Sequence, residues 1–480
     1  MILVVDVGTS SVRAVVVDGD AQIVIEHGEP MLPSSPMPGL VEFDARAMAD
    51  AVLRVANRAL DAVGEVAAVG VANQRGSAVV WDRATGAPVS AGLGWQDLRT
   101  VGRCLELQGS DIWLGPNHSG TKFETLLDAA DPGRTGHLCV GTVDSWVLWI
   151  LSAGALHVSD STNAQITGLR TTANDGWDHN VLDTLRIPEQ ALPMVVDSSG
   201  TIGPASELRG APPITGVLGD QQASLLGQAC VRPGDAKITF GTGAMLDMVV
   251  GRERPPIRLQ GDAGSFPLVT RRMSGTDTWG LEAVMLSAGT NVEWLRDDLG
   301  LVASAEETDA VAAACTDTGD VWFVPALLGL GTPYWDFGAR GTLIGLTRGT
   351  ERAHVVRAVL EGVAHRGADL VDAAEADSGN DIQVVRVDGG MTANATFVQA
   401  LADATQRPIE VSPVREATAL GAAFATGAAI GWWTTDDEIA ATWKPGTRVE
   451  PGARLDRDRW REAVARAERW IPDLSAVAFS

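Results

Sequence analysis

Asp6 lies inside an apolar, strand-like run, residues 2–17 (ILVVDVGTSSVRAVVV), just ahead of the small polar turn Gly8-Thr9-Ser10-Ser11. A carboxylate among β-branched residues is costly unless it meets a cation or a hydrogen-bond donor. The turn offers a glycine for close approach, exposed N–H groups and three hydroxyls, which suits a phosphate held beside a carboxylate-bound Mg2+. An ordinary hairpin with a solvated Asp6 accounts for the same residues equally well. Residues 236–250 (AKITFGTGAMLDMVV) repeat the plan, with Gly241-Thr242-Gly243 at the turn. A duplicated hairpin implies two related domains, each presenting a phosphate turn to a shared cleft; two unrelated glycine hairpins are the simpler alternative.

Asp220 stands between an apolar strand and a helical stretch, in Leu218-Gly219-Asp220-Gln221-Gln222. It reads as the helix N-cap, or as a carboxylate at the end of a strand that accepts the proton of an attacking hydroxyl, as in phosphoryl transfer to alcohols. Val387-Asp388-Gly389-Gly390 also joins a strand to a helix, and its glycines permit close approach of a flat or phosphorylated ligand, although a plain turn is equally compatible. Two motifs are set aside. Residues 115–122 (GPNHSGTK) end Thr-Lys where a P-loop needs Lys-Thr, and the turn at 241–243 lacks the third glycine of a dinucleotide fingerprint.

The elements that must position these residues alternate along the chain. Strand-like runs at 67–72 and 78–81, at 214–218 before a helical pattern at 222–229, and at 384–387 before another at 394–405 mark an α/β architecture. Pro/Gly clusters at 31–39, 210–213 and 232–235 read as loops, and the last is the best domain boundary, giving domains 1–231 and 232–480. With 480 residues, two or more domains are expected. The 37 Lys and Arg against 61 Asp and Glu leave a net charge of −24, which argues against nucleic acid or an anionic membrane as partner, so local donors and metal must hold any phosphate. Cys104, Cys139, Cys230 and Cys315 lack CxxC or zinc-site spacing and are expected as buried free thiols. The chain starts in a strand with no basic leader, and the apolar stretch near 146–156 is too short to span a bilayer, so a cytoplasmic protein is expected.

In this order the motifs resemble the FGGY carbohydrate kinases, most closely the glycerol kinase branch, over nearly the whole chain. The collinear matches include Asp6–Arg13, Asn73-Gln74-Arg75, Gly94-Trp95-Gln96, Ser119-Gly120-Thr121-Lys122, Gly219–Gln222, Phe240–Gly243, Trp294-Leu295-Arg296-Asp297 and Asp388-Gly389-Gly390. The resemblance implies two RNase H-like domains, of the actin/hexokinase type, closing on ATP and Mg2+. By the same resemblance Asp6 is the metal-associated carboxylate, and Thr9, Ser10, Ser11 and Thr242 belong to the phosphate turns with Arg13 as a phosphate-side cation. Gly289, Glu293, Gly390 and Asn394 fall at nucleotide-contacting positions. Asp220 becomes the general base, kept ionised by its helix N-terminus, and Arg75, Trp95, Asp220 and Gln221 line the acceptor pocket.

The departures gather at that pocket. Gly76 replaces a glutamate that holds substrate hydroxyls, Asn117 stands at an aromatic position in a shortened loop, and Met245 replaces a phenylalanine. A glycine at 76 is expected to open room. The loop before Ile214 lacks the Gly-Gly-Thr-Arg stretch for fructose 1,6-bisphosphate, and Thr125 departs from the N-terminal signature. The expected activity is transfer of the γ-phosphoryl group to a terminal hydroxyl of a small polyol or sugar, glycerol being the leading acceptor and erythritol, xylitol or xylulose the alternatives. A catalytically silent, actin-like nucleotide-binding module is the alternative of another class. A homo-oligomer, dimer or tetramer, is the expected assembly.

Overall fold

The computed structural model describes residues 1–478 and contains one continuous thirteen-stranded sheet. Its strands are β1 (Ile2–Val7), β2 (Ser11–Val17), β3 (Ile23–Pro30), β4 (Ala68–Asn73), β5 (Ser199–Pro204), β6 (Pro213–Gly219) and β7 (Ala236–Phe240), then β8 (Ala244–Gly251), β9 (Phe266–Met273), β10 (Thr276–Met285), β11 (Val385–Asp388), β12 (Ile409–Val411) and β13 (Thr447–Val449). They are ordered β13-β12-β11-β7-β8-β10-β9-β5-β6-β4-β1-β2-β3.

The order contains one plan twice. In the first half β1 and β2 form an antiparallel hairpin, β3 extends it, and β4 and β6 add in parallel beyond β1. In the second, β7 and β8 form the hairpin, β10 extends it, and β11 and β12 add in parallel beyond β7. Each half is thus an RNase H-like unit, as the duplicated hairpin and the resemblance imply. The halves meet in the sheet where β5 pairs with β9 at Ser199–Met273.

β1 is buried from end to end because both faces are covered, which explains its nearly unbroken apolar run. Leu3, Val5 and Val7 pack on helix α1 (Ala45–Val63) through Met48, Val52 and Val55; α1 begins at an Asp44 cap and carries its apolar residues at helical spacing. Ile2 and Val4 face helix α4 (Ala417–Ala429) through Ala422, Ala423 and Phe424. Asp6 shares the α4 face by strand alternation. Two further helices matter: α2 (Gly120–Ala130) behind the acceptor loops and α3 (Asp220–Gly227) after β6. Although α4 follows β12 in the second half, it covers the first half's sheet and crosses α3 so closely that a Cβ at Gly227 would overlap the Ala417 carbonyl and one at Gly421 the Ala223 carbonyl. The helix expected near 146–156 is Val143–Leu151. Among the described residues no helix is long and apolar enough to cross a membrane. Cys104, Cys139 and Cys230 are buried free thiols; Cys315 is only partly covered.

Candidate active site

The first turn is tied down from behind. Gly8 N–H bonds the Ser11 carbonyl at 2.9 Å, Met31 N–H bonds the Ser10 carbonyl at 2.8 Å, and Gln74 Nε2 donates to the Gly8 carbonyl at 3.3 Å. Trp95 Nε1 donates to Thr9 Oγ1 at 3.1 Å, which brings a predicted acceptor residue against a predicted phosphate residue. Asp6 and Arg13 are cross-strand partners, and Arg13 Nη2 donates to Asp6 Oδ2 at 2.6 Å while Nη1 pairs with Glu416 ahead of α4. The expected phosphate-side cation is therefore held by two carboxylates here. Burial pushes the Asp6 carboxyl up to about 6 even though Arg13 opposes the shift, and the Asp220 charge adds to it.

At the second turn Ala288 N–H bonds the Thr242 carbonyl at 2.8 Å and Gly289 N–H bonds the Gly241 carbonyl at 2.9 Å. A Cβ at Gly289 would crowd the Gly241 carbonyl, and one at Gly389, where φ is +94°, would crowd that of Phe240. These two glycines let the nucleotide-side loops close on the end of β7. Thr242 and Gly390 are exposed beside it. Asn394 caps the helix Ala395–Thr405 through Phe397 N–H and donates to Thr308 Oγ1, while Glu293 is exposed at the end of its short helix; both predicted nucleotide contacts stand on their own elements, not in the turn.

Asp220 is the first residue of α3, and the N-cap is Gly219. Its Oδ1 accepts from Gln221 N–H at 2.8 Å and lies 3.5 Å from Arg75 Nε. The expectation that the helix N-terminus would keep it ionised needs correcting: burial, the largest influence, pushes the Asp220 carboxyl up, and Arg75 and the Gln221 N–H oppose that rise. Arg75 Nη2 also bonds Glu282 Oε2, on β10 of the other half, at 2.5 Å. Gln221 Oε1 accepts from Lys237 Nζ, on β7, at 2.6 Å, and Lys237 pairs with Asp247 of β8 at 2.7 Å. Catalytic and acceptor candidates of the first half are thus bonded to charged residues of the second.

The expected room at Gly76 is absent. Its φ is +69°, and a Cβ there would overlap the carbonyl oxygen of Asn117, so the shortened loop has moved into the space a longer side chain would need. That loop is clamped by Lys122, whose buried Nζ donates to the carbonyls of Pro116 at 2.6 Å, His118 at 2.9 Å and Gly76 at 3.2 Å. Burial pushes the Lys122 ammonium down to about 7. Lys122 is an anchor, in line with rejecting a P-loop. Asn117 is exposed and Met245 half-buried on β8.

Sequence reasoning missed Lys237, Asp247, Glu282 and the network beneath the strand ends. In that network Asp160 accepts from Thr162 and Asn163, Thr162 Oγ1 takes the Gly219 N–H at 3.0 Å, and Asn163 exchanges bonds with Asn73. The available signal was a charged residue among apolar neighbours in a strand: Lys237 in AKITF, Asp247 in AMLDMVVG and Glu282 in the GLEAVM end of β10.

The N-terminal domain of the FGGY family of carbohydrate kinases matches residues 1–227, and its C-terminal domain residues 236–430. The chain belongs to this family. Among its relatives is the glycerol kinase of Trichlorobacter lovleyi, 40% identical over 98% of this chain and 99% of that protein. The crystal structure of Plasmodium falciparum glycerol kinase with ADP superposes with a TM-score of 0.90 at 28% identity, covering 97% of this chain and 98% of that one. That of a xyloylose kinase from Brucella ovis does so with a TM-score of 0.86 at 25% identity, each chain covered to 99%. This chain is an FGGY kinase, and a kinase of this family uses ATP.

Proposed function

We propose that this kinase transfers the γ-phosphoryl group of ATP to a terminal hydroxyl of a small polyol, with glycerol as the leading acceptor. The observation that carries the reading is Asp220 at the start of α3, paired with Arg75 and close enough to Asp6 for their charges to interact. The names of its relatives support the choice of acceptor.

In this reading Asp220 takes the proton of the acceptor hydroxyl as its oxygen attacks the γ-phosphorus and the bond to the ADP oxygen breaks. A carboxylate raised by burial is the better proton acceptor, while Arg75 and the Gln221 N–H favour its ionised form. Arg75 and Gln221 orient the acceptor, and the turns carrying Thr9 and Thr242 hold the phosphates in line. Mg2+ fits the donors present. It binds by one or two carboxylates plus substrate phosphates, and the buried Asp6 has Oδ2 engaged by Arg13 with no hydrogen bond to Oδ1 among the described residues. Bound there it would neutralise phosphate charge. The boundary near residues 232–235 would assign the acceptor and base to the first domain and the nucleotide to the second.

ADP release measured across glycerol, erythritol, xylitol and xylulose tests the reading. Acceptor-dependent turnover supports it. Folded, ATP-binding protein with no such turnover would restore the silent nucleotide-binding module.

A further inference from the structure

Strand β8 alternates strictly. Ala244, Leu246 and Met248 enter the core of the second half, so Met245, Asp247 and Val249 point to the other face, where Val249 packs on Leu225 of α3. Met245 is the acceptor-side candidate, and Asp247 is its neighbour on that face, one strand period deeper. In register Asp247 stands between Lys237 of β7 and Glu282 of β10, so three charged side chains form one row across the sheet beneath α3. Such a row is expensive to bury unless its members are matched.

Most of them are. Lys237 donates to Gln221 and Thr239 and pairs with Asp247, and Glu282 takes Arg75. Both Asp247 carboxylate oxygens and Arg75 Nη1 are buried without a hydrogen-bond partner; Oδ2 is met by the Lys237 ammonium as an ion pair at 2.7 Å, which leaves Asp247 Oδ1 and Arg75 Nη1 with neither. Asp247 is 1% exposed, and Arg75 is the residue paired with the candidate base. One atom accepts and the other donates. A hydroxyl group is the ligand that satisfies both, accepting from a guanidinium and donating to a carboxylate. A carboxylate ligand would meet Asp247 with like charge.

We propose that Asp247, with Arg75 Nη1, forms an acceptor-hydroxyl subsite that takes over the carboxylate role Gly76 cannot fill, and so selects neutral polyols over sugar acids. This rests on the polyol-kinase reading above. Asp247 determines specificity and takes no part in proton transfer.

The test couples a change in the protein to a change in the acceptor. Asp247→Asn is compared with the wild type on glycerol, propane-1,2-diol, propane-1,3-diol and gluconate, with ATP and acceptor each varied. For the preferred polyol the acceptor KM rises about 10- to 100-fold, while kcat and the KM for ATP stay within about threefold. Deleting the matching hydroxyl from the acceptor costs the wild type about the same factor and costs the variant little. Gluconate discrimination weakens in the variant. A uniform loss on every acceptor, or unchanged preference, overturns the proposal and leaves Asp247 as the counter-ion of Lys237. Where Asp247→Asn does not fold, the double variant Lys237→Met with Asp247→Leu removes both buried charges and gives the same coupling readout. A wild type that phosphorylates no polyol refutes the function itself; a wild type that does so, with no coupling in either variant, refutes only the subsite.

Discussion

The two hairpins at the heart of the halves each bury one cross-strand ion pair, in different rows and with opposite polarity. In the first, Asp6 of β1 faces Arg13 of β2, one row behind the pair nearest the turn. In the second, Thr239 and Met245 occupy that row, and the ion pair, Lys237 with Asp247, lies two rows deeper with the cation on the first strand. Depth along the hairpin decides what a charge can reach. In the proposed reading a pair next to the turn serves phosphate and metal; the one two rows further back lies under α3, beside Gln221 and Arg75. On the proposals above, one scaffold would supply separate chemistry to the donor and the acceptor through the row in which a carboxylate is set.

The largest break in this comparison removes the group between the two pairs. Asp220→Asn should lower kcat by about 10³-fold while ATP binding, read by nucleotide-induced thermal shift, is retained. Full activity in that variant would remove the proposed base. Next, Asp6→Asn should cost about 100-fold or more through the loss of charge at the phosphate turn. Its pH dependence carries a sign. Because the folded Asp6 carboxyl is raised to about 6, wild-type activity should fall as pH drops through that value, and Asp6→Asn should lose that step while keeping whatever acid loss protonation of Asp220 brings. For stability the sign is opposite. The folded state binds this proton more tightly than the unfolded chain, so the Asp6 contribution is full below its ordinary pKa and lost as pH rises through about 6. Asp6→Asn should therefore melt no lower than the wild type at pH 8.

Smaller effects come from the acceptor loops. Lys122→Met leaves three carbonyls, that of Gly76 buried and those of Pro116 and His118 partly so, without their donor and should destabilise the protein by about 2–4 kcal/mol in denaturant titration, with acceptor KM raised more than the KM for ATP. Gly76→Glu, the change that restores the missing carboxylate, should cost about 1–3 kcal/mol, since residue 76 has a positive φ and meets the Asn117 carbonyl. It should not improve glycerol turnover. A stable variant with a lower glycerol KM would show that the loop yields and that the pocket is open after all.

Much of this was legible in the sequence because it is local. The strand–turn–strand of residues 2–17 and its repeat at 236–250 announced the duplicated unit, since period-2 patterning and glycine turns are short-range signals. Asp220 could be placed at a strand-to-helix junction, though its cap reading failed by one residue, Gly219 being the cap. The links between halves were not legible. Arg75 and Glu282 are 207 residues apart, and nothing near either names the other. Substitution by size also misled at Gly76: a smaller residue suggests space, but a shortened loop can fill it with a carbonyl, and only the backbone path decides. In the same way α4 reads as part of the second half while it covers the first, because its Ala- and Gly-rich surface permits close packing without saying against what.

The division of labour between the two hairpin pairs is tested most directly by initial rates with Mg·ATP and polyol both varied, for Asp6→Asn and Asp247→Asn side by side. The account predicts that Asp6→Asn changes kcat and the Mg2+ requirement with the acceptor KM within about twofold, and that Asp247→Asn changes the acceptor KM with the Mg2+ requirement intact. Variants that shift the same parameters by the same factors would contradict it.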